Sequence, residues 1–339
     1  MPSGRSATMN MPPTPVVAGS TLPLPSVSIA DEASWSAGLS ALARGGFEWV
    51  DVVDNWVPFG DLTVEQGGRL AAHVADAGLL MAGLSAIRRS VIDPIDGSAN
   101  LAYTHRALDV AAAAGAPVLS IGFHRPLTEL QRQWTFWSVP GPADDADDPA
   151  LWACAVDRLR ELCSHAADIG LRLSLELYED TLIGSGEQTV RLIQDVDSPV
   201  LGINADLANL YRVPRRLTEG WLETFAACLP YLNYWHVKNF RRAEGYPDGP
   251  FLAWPTQLDD GDINYRLLLS MALDAGYDGP ICIEQYGGDG LTAQCAGLAY
   301  LTGVLDDLVS GSAWTTAGRV VDRGSGAGHT GPTSMTRGR

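Results

Sequence analysis

The chain is short of cysteine, of positive charge and of long apolar runs. Its five cysteines (154, 163, 228, 282 and 295) are odd in number and scattered, and no two form C-x-x-C. That spacing argues against a disulfide framework or a cysteine-held zinc and fits a reducing, cytoplasmic setting. Lysine and arginine total 23 against 40 acids, a formal net charge of −17. Such a field repels nucleic acid and anionic membrane, while leaving small molecules as substrates. No apolar run reaches the ~18–20 residues of a membrane span. The N-terminal stretch has one arginine, many prolines and no continuous apolar core, so it does not read as a signal peptide. No G-x-G-x-x-G follows the first expected strand, and G-x-x-x-x-G-K-[ST] does not occur. Dinucleotide and P-loop chemistry therefore lack support.

What is present is a soluble globular composition of 339 residues, 46% hydrophobic and 19% charged. Residues 1–20 (Pro, Ser, Thr) and 310–339 (Gly, Ser, Thr) read as disordered tails around one domain at 21–309. Within it, apolar runs predict strands at 47–53, 79–85, 117–123, 172–178, 200–206, 232–238 and 281–286, with a first strand near 22–29. Helical patterns alternate with them: one from about Ala33, then 62–77 behind a cap at Asp61, 97–115, 148–169, 186–196, 217–228, 265–275 and 290–309. Eight strand–helix units in under 300 residues predict a (β/α)8 barrel (a TIM barrel) rather than an open doubly wound sheet.

Active sites of such barrels lie at the C-terminal ends of the strands. Strands five to eight end in SLELY, GINAD, YWHVK and IEQY, so each delivers one metal-capable side chain: Glu176, Asp206, His236 and Glu284. Any one alone reads as a solvated rim carboxylate or a hydrogen-bonded core histidine. Four at matching depth converge, and three converging carboxylates repel unless a cation joins them. Three oxygen ligands and one imidazole suit Mn2+ first, with Mg2+, Co2+ or Fe2+ as alternatives, and suit Zn2+ less well. Strand alternation puts Tyr178 in phase with Glu176, and Lys238 in phase with His236, toward the barrel mouth.

These strings resemble the xylose isomerase-like barrels of the sugar phosphate isomerase/epimerase superfamily. GINADLANLY sits where that family has G-x-x-x-D-x-x-H, and YWHVKNF where it has H-x-K-D. LDDGDINYRLLLSMALDAGYDGPICIE resembles its tail ending in a strand and Glu, and ARGGFEWVDV its early G-F-x-x-[IV]-[ED] strand. The resemblance spans roughly residues 20–309. It implies one divalent metal on Glu176, Asp206, His236 and Glu284, with the two glutamates also acting as acid and base. The activity it implies is isomerase/epimerase-type proton abstraction α to a carbonyl, through an enediolate that the metal stabilises. It implies a substrate contact from Arg242, six residues after the metal histidine. Where the family has His, Asp and a first Gly, this chain has Asn209, Asn239 and Asp259. The first of these substitutes an amide for an imidazole on the substrate. The family's DNA-repair branch needs a histidine-rich three-zinc cluster, which six histidines and the acidic charge do not support.

SAIRRSVID, GFHRP, SLELYED, NADLANL and NYWHVKNF also resemble the large (α) subunit of C-glycoside deglycosidases. That implies metal-assisted cleavage of the C–C bond of 3-oxo-C-glycosides alongside a small β subunit. The alternatives are thus an isomerase/epimerase on a keto sugar, a carbon–carbon lyase, or a non-catalytic sugar-binding barrel. As assembly states, a homo-oligomer or such a hetero-oligomer is expected. His124 is read as an acid toward a leaving ring, as a substrate contact, or as a structural loop histidine. Lys238 either orients the enediolate oxygen or pairs with Asp206 or Glu284. Of Arg88 and Arg89, one faces the mouth and the other is a surface charge. Trp56, Trp134, Trp137, Trp235 and Trp254 form either a platform for a ring or ordinary packing. Residues 124–148 exceed the usual loop length and read as a lid or interface.

Overall fold

The computed structural model of the chain describes residues 15–245 and 249–310. Among them, eight parallel strands close into a barrel: β1 Val17–Ser20, β2 Trp49–Val53, β3 Leu80–Ser85, β4 Val118–Ile121, β5 Arg172–Glu176, β6 Leu201–Asn204, β7 Leu232–Val237 and, after a hairpin, β10 Ile281–Ile283. The hairpin pairs β8 Asn239–Glu244 antiparallel with β9 Phe251–Thr256. The helices are α1 Glu32–Arg44, α2 Val64–Asp76, α3 Gly97–Ala113, α4 Glu129–Gln133, α5 Pro149–Asp168, α6 Gly186–Val196, α7 Leu207–Tyr211, α8 Trp221–Cys228, α9 Tyr265–Asp274 and α10 Gly290–Val309. The eightfold strand–helix repeat read from the sequence is therefore a closed (β/α)8 barrel. No helix among the described residues is long and apolar enough to cross a membrane.

Two expectations are corrected. The first strand is β1 at Val17–Ser20, inside the stretch read as tail, and not at 22–29. A barrel strand is buried on both faces, and Pro23 and Pro25 cannot donate to a ladder on either side. The remainder of the two supposed tails, residues 1–14 and 311–339, lies outside the described residues. Helix α2 is capped by Thr63, not Asp61: the Thr63 side chain accepts from Gln66 N while Gln66 reaches back to Thr63 N, a closed capping box. The hairpin β8–β9 and the short α7 had no counterpart in the sequence reading.

The barrel interior is layered. Near the N-terminal ends of the strands, Ala18, Ala82, Val118, Tyr234 and Cys282 pack together. Closer to the mouth the layer is polar, with Asp51, Ser85, Ser120, Asn204 and His236 buried. These groups are paired: Tyr234 donates its hydroxyl to Asp51 (2.7 Å), Ser85 donates to Asp51 (2.9 Å), and Asn204 donates to Ser120 (3.0 Å). Asn204 Oδ1 accepts from the His236 backbone N–H (2.6 Å), which fixes β7 beside β6 where the register shifts. The larger apolar core lies between strands and helices and includes Trp35, Trp56, Trp235, Phe225 and Tyr265.

Asp54, just after β2, is buried and accepts from Ile87 N (2.9 Å), with Arg89 and Tyr103 hydroxyl at 3.4 and 3.3 Å. Burial raises its pKa to about 6 despite these donors. A carboxyl that grips its proton more tightly when folded stabilises the fold fully below its unfolded pKa of about 4. That contribution is lost as pH rises through about 6. The shift corresponds to a loss on the order of 3 kcal/mol. Asp54→Asn should therefore flatten the fall in unfolding free energy between about pH 4 and 6 seen by urea titration of the wild type.

Candidate metal centre and cleft

Glu176 ends β5, Asp206 precedes α7, His236 lies near the end of β7 and Glu284 directly follows β10. One ligand-capable atom from each lies within 4.8 Å of the others, and all four side chains are buried. His236 Nδ1 is 3.4 Å from both Glu176 Oε1 and Glu284 Oε1. Its other nitrogen, Nε2, faces the polar layer, 3.2 Å from Ser85 Oγ and 3.8 Å from Asp51 Oδ2. That division suits a ligating imidazole, whose far nitrogen is normally held by a carboxylate or hydroxyl. His236 Nδ1, Asp206 Oδ1 and Glu284 Oε1 are buried without hydrogen-bond partners. Orphaned atoms from two carboxylates and one imidazole, with the Glu176 carboxylate beside them, fit a divalent cation with oxygen preference.

The electrostatics follow from crowding. Burial raises the Asp206 carboxyl, with the neighbouring Glu176 and Glu284 charges adding to it against Lys238. Burial also works on Glu176, but His124, His236 and Lys238 outweigh it and hold that carboxyl well below its ordinary value. His236 is the mirror case: burial would lower it, and Glu284, Glu176 and Asp51 raise it to about 10. Lys238 is paired with Asp206 and with Glu284 Oε2 (2.8 Å). The pairing alternative for Lys238 is thus the one the structure adopts.

A narrow cleft opens at this cluster, lined by Arg88, His124, Glu176, Tyr178, Asn209, Lys238, Glu284 and Tyr286, among others. His124 Nε2 is 3.6 Å from Glu176, and its ring meets Tyr178 edge-on at 4.0 Å. Burial lowers its pKa to about 3, so the imidazole is neutral and suits a substrate contact better than a proton donor. Asn209 spends its amide hydrogens on Glu176 Oε1 (3.1 Å) and Leu177 O (3.0 Å), leaving a buried Oδ1 without a partner. Arg88 adopts φ +54°, donates to Arg125 O and to the Tyr178 hydroxyl, and lines the cleft. Arg89 pairs with Asp54 and lies over the Tyr103 ring.

Two sequence-derived substrate contacts are not at the cleft. Arg242 turns away from it: its guanidinium binds the carbonyls of Tyr211 (3.2 Å), Val213 and Arg215, and pairs with Glu244. Chain distance from His236 does not fix which way a side chain faces: Arg242 lies on β8, before the hairpin turns, and its guanidinium meets the segment that follows α7. Trp56 packs in the core, with Gly38 of α1 so near that an added Cβ would meet its ring at 2.8 Å. Of the other platform tryptophans, Trp235 is buried against Phe225, while Trp134 and Trp254 are exposed. Trp137 alone joins the aromatic group at the mouth, with Phe136, Phe240 and Tyr286. The 124–148 segment is fastened there by Trp137 Nε1 to Ala253 O (3.1 Å) and by Asp144 N to Asp180 O (2.9 Å).

The sequence reading missed Asp51, Arg212 and Tyr286. Asp51 closes the early G-F-x-x-[IV]-[ED] string, and Tyr286 is in phase with Glu284 on its strand end, so both were legible. Arg212 is fully buried, with a bidentate grip on Glu179 (2.9 and 3.0 Å). Its guanidinium lies 4.7–5.8 Å from the rings of Phe136, Tyr178, Trp137 and Tyr286.

Residues 39–301 match the model of the xylose isomerase-like TIM barrel family, and the chain belongs to that family. A xylose isomerase-like TIM barrel protein from Mycobacterium smegmatis, solved in complex with magnesium, is 36% identical. The match covers 87% of this chain and 98% of that one, with a TM-score of 0.81. A ketose 3-epimerase from Arthrobacter globiformis is 24% identical over 220 residues, 64% of this chain and 66% of the epimerase. D-allulose 3-epimerase from Methylomonas sp. shares the fold at 18% identity and TM-score 0.62, over 87% and 100% of the two chains.

Two outcomes are expected. Millimolar Mg2+ or Mn2+ should raise the thermal midpoint of the wild type, since a cation that binds only the folded state stabilises it by mass action. Asp206→Asn should remove most of that rise in a thermal scan. Arg212→Leu leaves Glu179 buried and unpaired, and chemical denaturation should show a loss of about 3–5 kcal/mol.

Proposed function

We infer that this chain is a divalent-metal-dependent sugar isomerase/epimerase-type enzyme that abstracts a proton α to the carbonyl of a small keto sugar. The observation that carries the reading is the placement of Glu176 and Glu284 on one cleft with the Asp206–His236 pair between them. In barrel order β5 and β10 are separated by β6 and β7, so the two glutamates approach the cleft from different sides. That suits removal of a proton on one face and its return on the other. Names of the relatives support the class, as a ketose 3-epimerase and a D-allulose 3-epimerase are among them.

Glu176, Asp206, His236 and Glu284 would hold the metal, with Mn2+ as the reading's first choice and Mg2+ next. When bound, the metal supplies Lewis-acid stabilisation to charge developing on the sugar oxygens. Glu176, held ionised by His236 and Lys238, is the base; the Asn209 amide keeps its Oε1 in place. Glu284 returns the proton. Asn209 Oδ1 accepts from a sugar hydroxyl, and neutral His124 and the Tyr178–Arg88 pair contact the remainder. The five free cysteines fit a cytoplasmic enzyme.

A second reading is favoured by the aromatic wall of Phe136, Trp137 and Tyr286 backed by Arg212. A carbon–carbon lyase of the C-glycoside deglycosidase type would seat an aromatic aglycone there after the same proton abstraction. Both readings are tested in D2O, with Mn2+-loaded protein given a ketohexose panel and a 3-oxo-C-glucoside, with and without chelator. Chelator-sensitive deuterium in a ketose supports the isomerase/epimerase reading, and released aglycone replaces it with the lyase. No exchange in any substrate returns the site to a binding role. In the active case Glu176→Gln and Glu284→Gln should each slow exchange about 10²–10⁴-fold with metal still bound. Full turnover by Glu176→Gln would overturn the base assignment.

A further inference from the structure

Outside the mouth, a second group of metal-capable side chains lies on the helical layer. His105 of α3 and His165 of α5 face each other edge to edge with Nδ1 atoms 2.8 Å apart, ring centroids 5.1 Å apart and ring planes inclined by 27°. Each ring's other nitrogen is anchored by an acid from the opposite helix: His105 Nε2 to Glu161 (2.9 Å) and His165 Nε2 to Asp109 (3.0 Å). The sequence builds this as two four-residue steps, His105 to Asp109 on α3 and Glu161 to His165 on α5. Residues so spaced share one helix face.

The chemistry of the pair is constrained. A carboxylate acceptor at Nε2 fixes the proton there, which leaves the Nδ1 lone pair bare. Two bare lone pairs at 2.8 Å require an electrophile between them. One shared proton gives an N–H···N bond and a cluster of net charge −1, counting two carboxylates and one imidazolium. A divalent cation leaves the cluster neutral. The histidine side chains are 28% and 24% exposed, so a cation has access.

We propose that His105 and His165 form a transition-metal site for Zn2+, Cu2+ or Ni2+, with Glu161 and Asp109 holding the ligands and water completing the coordination. Zn–N bonds of about 2.0–2.1 Å in tetrahedral geometry set two nitrogens about 3.3 Å apart. From the head-on 2.8 Å arrangement the ring ends must part by about half an ångström and both rings must turn so that their lone pairs meet at the ion, a movement open to side chains on a solvent-facing helix pair. Imidazole pairs favour these ions over Mg2+, whereas the carboxylate-rich mouth favours harder ions. The two sites are thus separated by donor type. A cation bound here also ties α3 to α5, which pack side by side.

The test uses the full-length protein in millimolar Mg2+, titrated with Zn2+ by calorimetry and followed by thermal scans. The wild type should bind one more equivalent of Zn2+ than the double variant His105→Gln/His165→Gln, because uptake at the mouth is common to both. Its thermal midpoint should rise with Zn2+ by more than that of the double variant. Asp109→Asn and Glu161→Gln, which leave both imidazoles in place, should each weaken the extra site about 10–100-fold. They carry the test if the double variant does not fold. Equal stoichiometry and equal thermal shifts in all these proteins would overturn the proposal and leave the pair as a proton-sharing clamp between helices.

Discussion

Three carboxylates are buried around one point at the barrel mouth, and the arrangement of the residues near them is a response to that charge. Ionised carboxylates in a medium of low dielectric are tolerated only with paired cations or metal ligation. Here Lys238 reaches Asp206 and Glu284, while His236 sits between Glu176 and Glu284. The compensation extends downward. Asp51, itself buried and raised to about 6 chiefly by desolvation, faces His236 from below and takes hydrogen bonds from Tyr234 and Ser85. A polar layer inside a barrel gives up apolar packing, and its return is a fixed imidazole orientation.

The convergence of Glu176, Asp206, His236 and Glu284 was legible because it combines two independent signals. A strand end is recognisable from the apolar run before it, and the barrel rule says which end carries chemistry. The first strand was not legible for the opposite reason. Val17–Ser20 is only four residues, and its inward position is Ala18 while Gly19 lies against the Phe47 ring, where a Cβ would come within 2.9 Å. Small residues forced by close packing carry little strand propensity. The stretch 22–29 has the apolar content, but its prolines deny it a place inside a sheet.

Arg242 and Trp56 show where one-dimensional spacing stops. Counting from His236 gives a place along the chain and not a facing: after Lys238 the chain leaves the barrel into the β8–β9 hairpin, whose reversal lies beyond Arg242. The base of the hairpin is pinned by Asn239, whose amide donates to Leu258 O (2.8 Å) and Ile263 O (2.9 Å) and whose Oδ1 accepts from Ile263 N (3.1 Å). That also accounts for Gly261, since any Cβ there would collide with the Asn239 side chain. Asn239 and Gly261 are thus one structural unit, although the sequence shows them as a departure and a remnant of two separate motifs. Aromatic count is similarly blind to facing: Trp56 and Trp235 serve the core, and Trp137 serves the mouth.

The mouth therefore combines parts of different rigidity. Glu176 and His236 project from barrel strands, and Asp206 and Glu284 from positions just beyond them, so their separation is set by parallel ladders. Arg88, Arg212, Phe136 and Trp137 come from connecting segments, whose positions depend on a few tethers such as Trp137 to Ala253 and Asp144 to Asp180. Loops can change without disturbing the ladders, so the first set can be kept while the second is altered. Metal chemistry needs ligand atoms held within a few tenths of an ångström, which strands supply. Discrimination among substrates needs shape and charge that differ between barrels of one kind, which tethered loops supply. Arg212 stands between the two: its Glu179 pair anchors it beside β5, while its guanidinium face is given to the aromatic rings of the mouth. A cation fixed by its carboxylate among four aromatic rings keeps a rigid wall on one side of the cleft. On the proposed function, the side of a substrate remote from the glutamates would meet that wall, and selectivity would be decided there rather than among the ligand-capable residues.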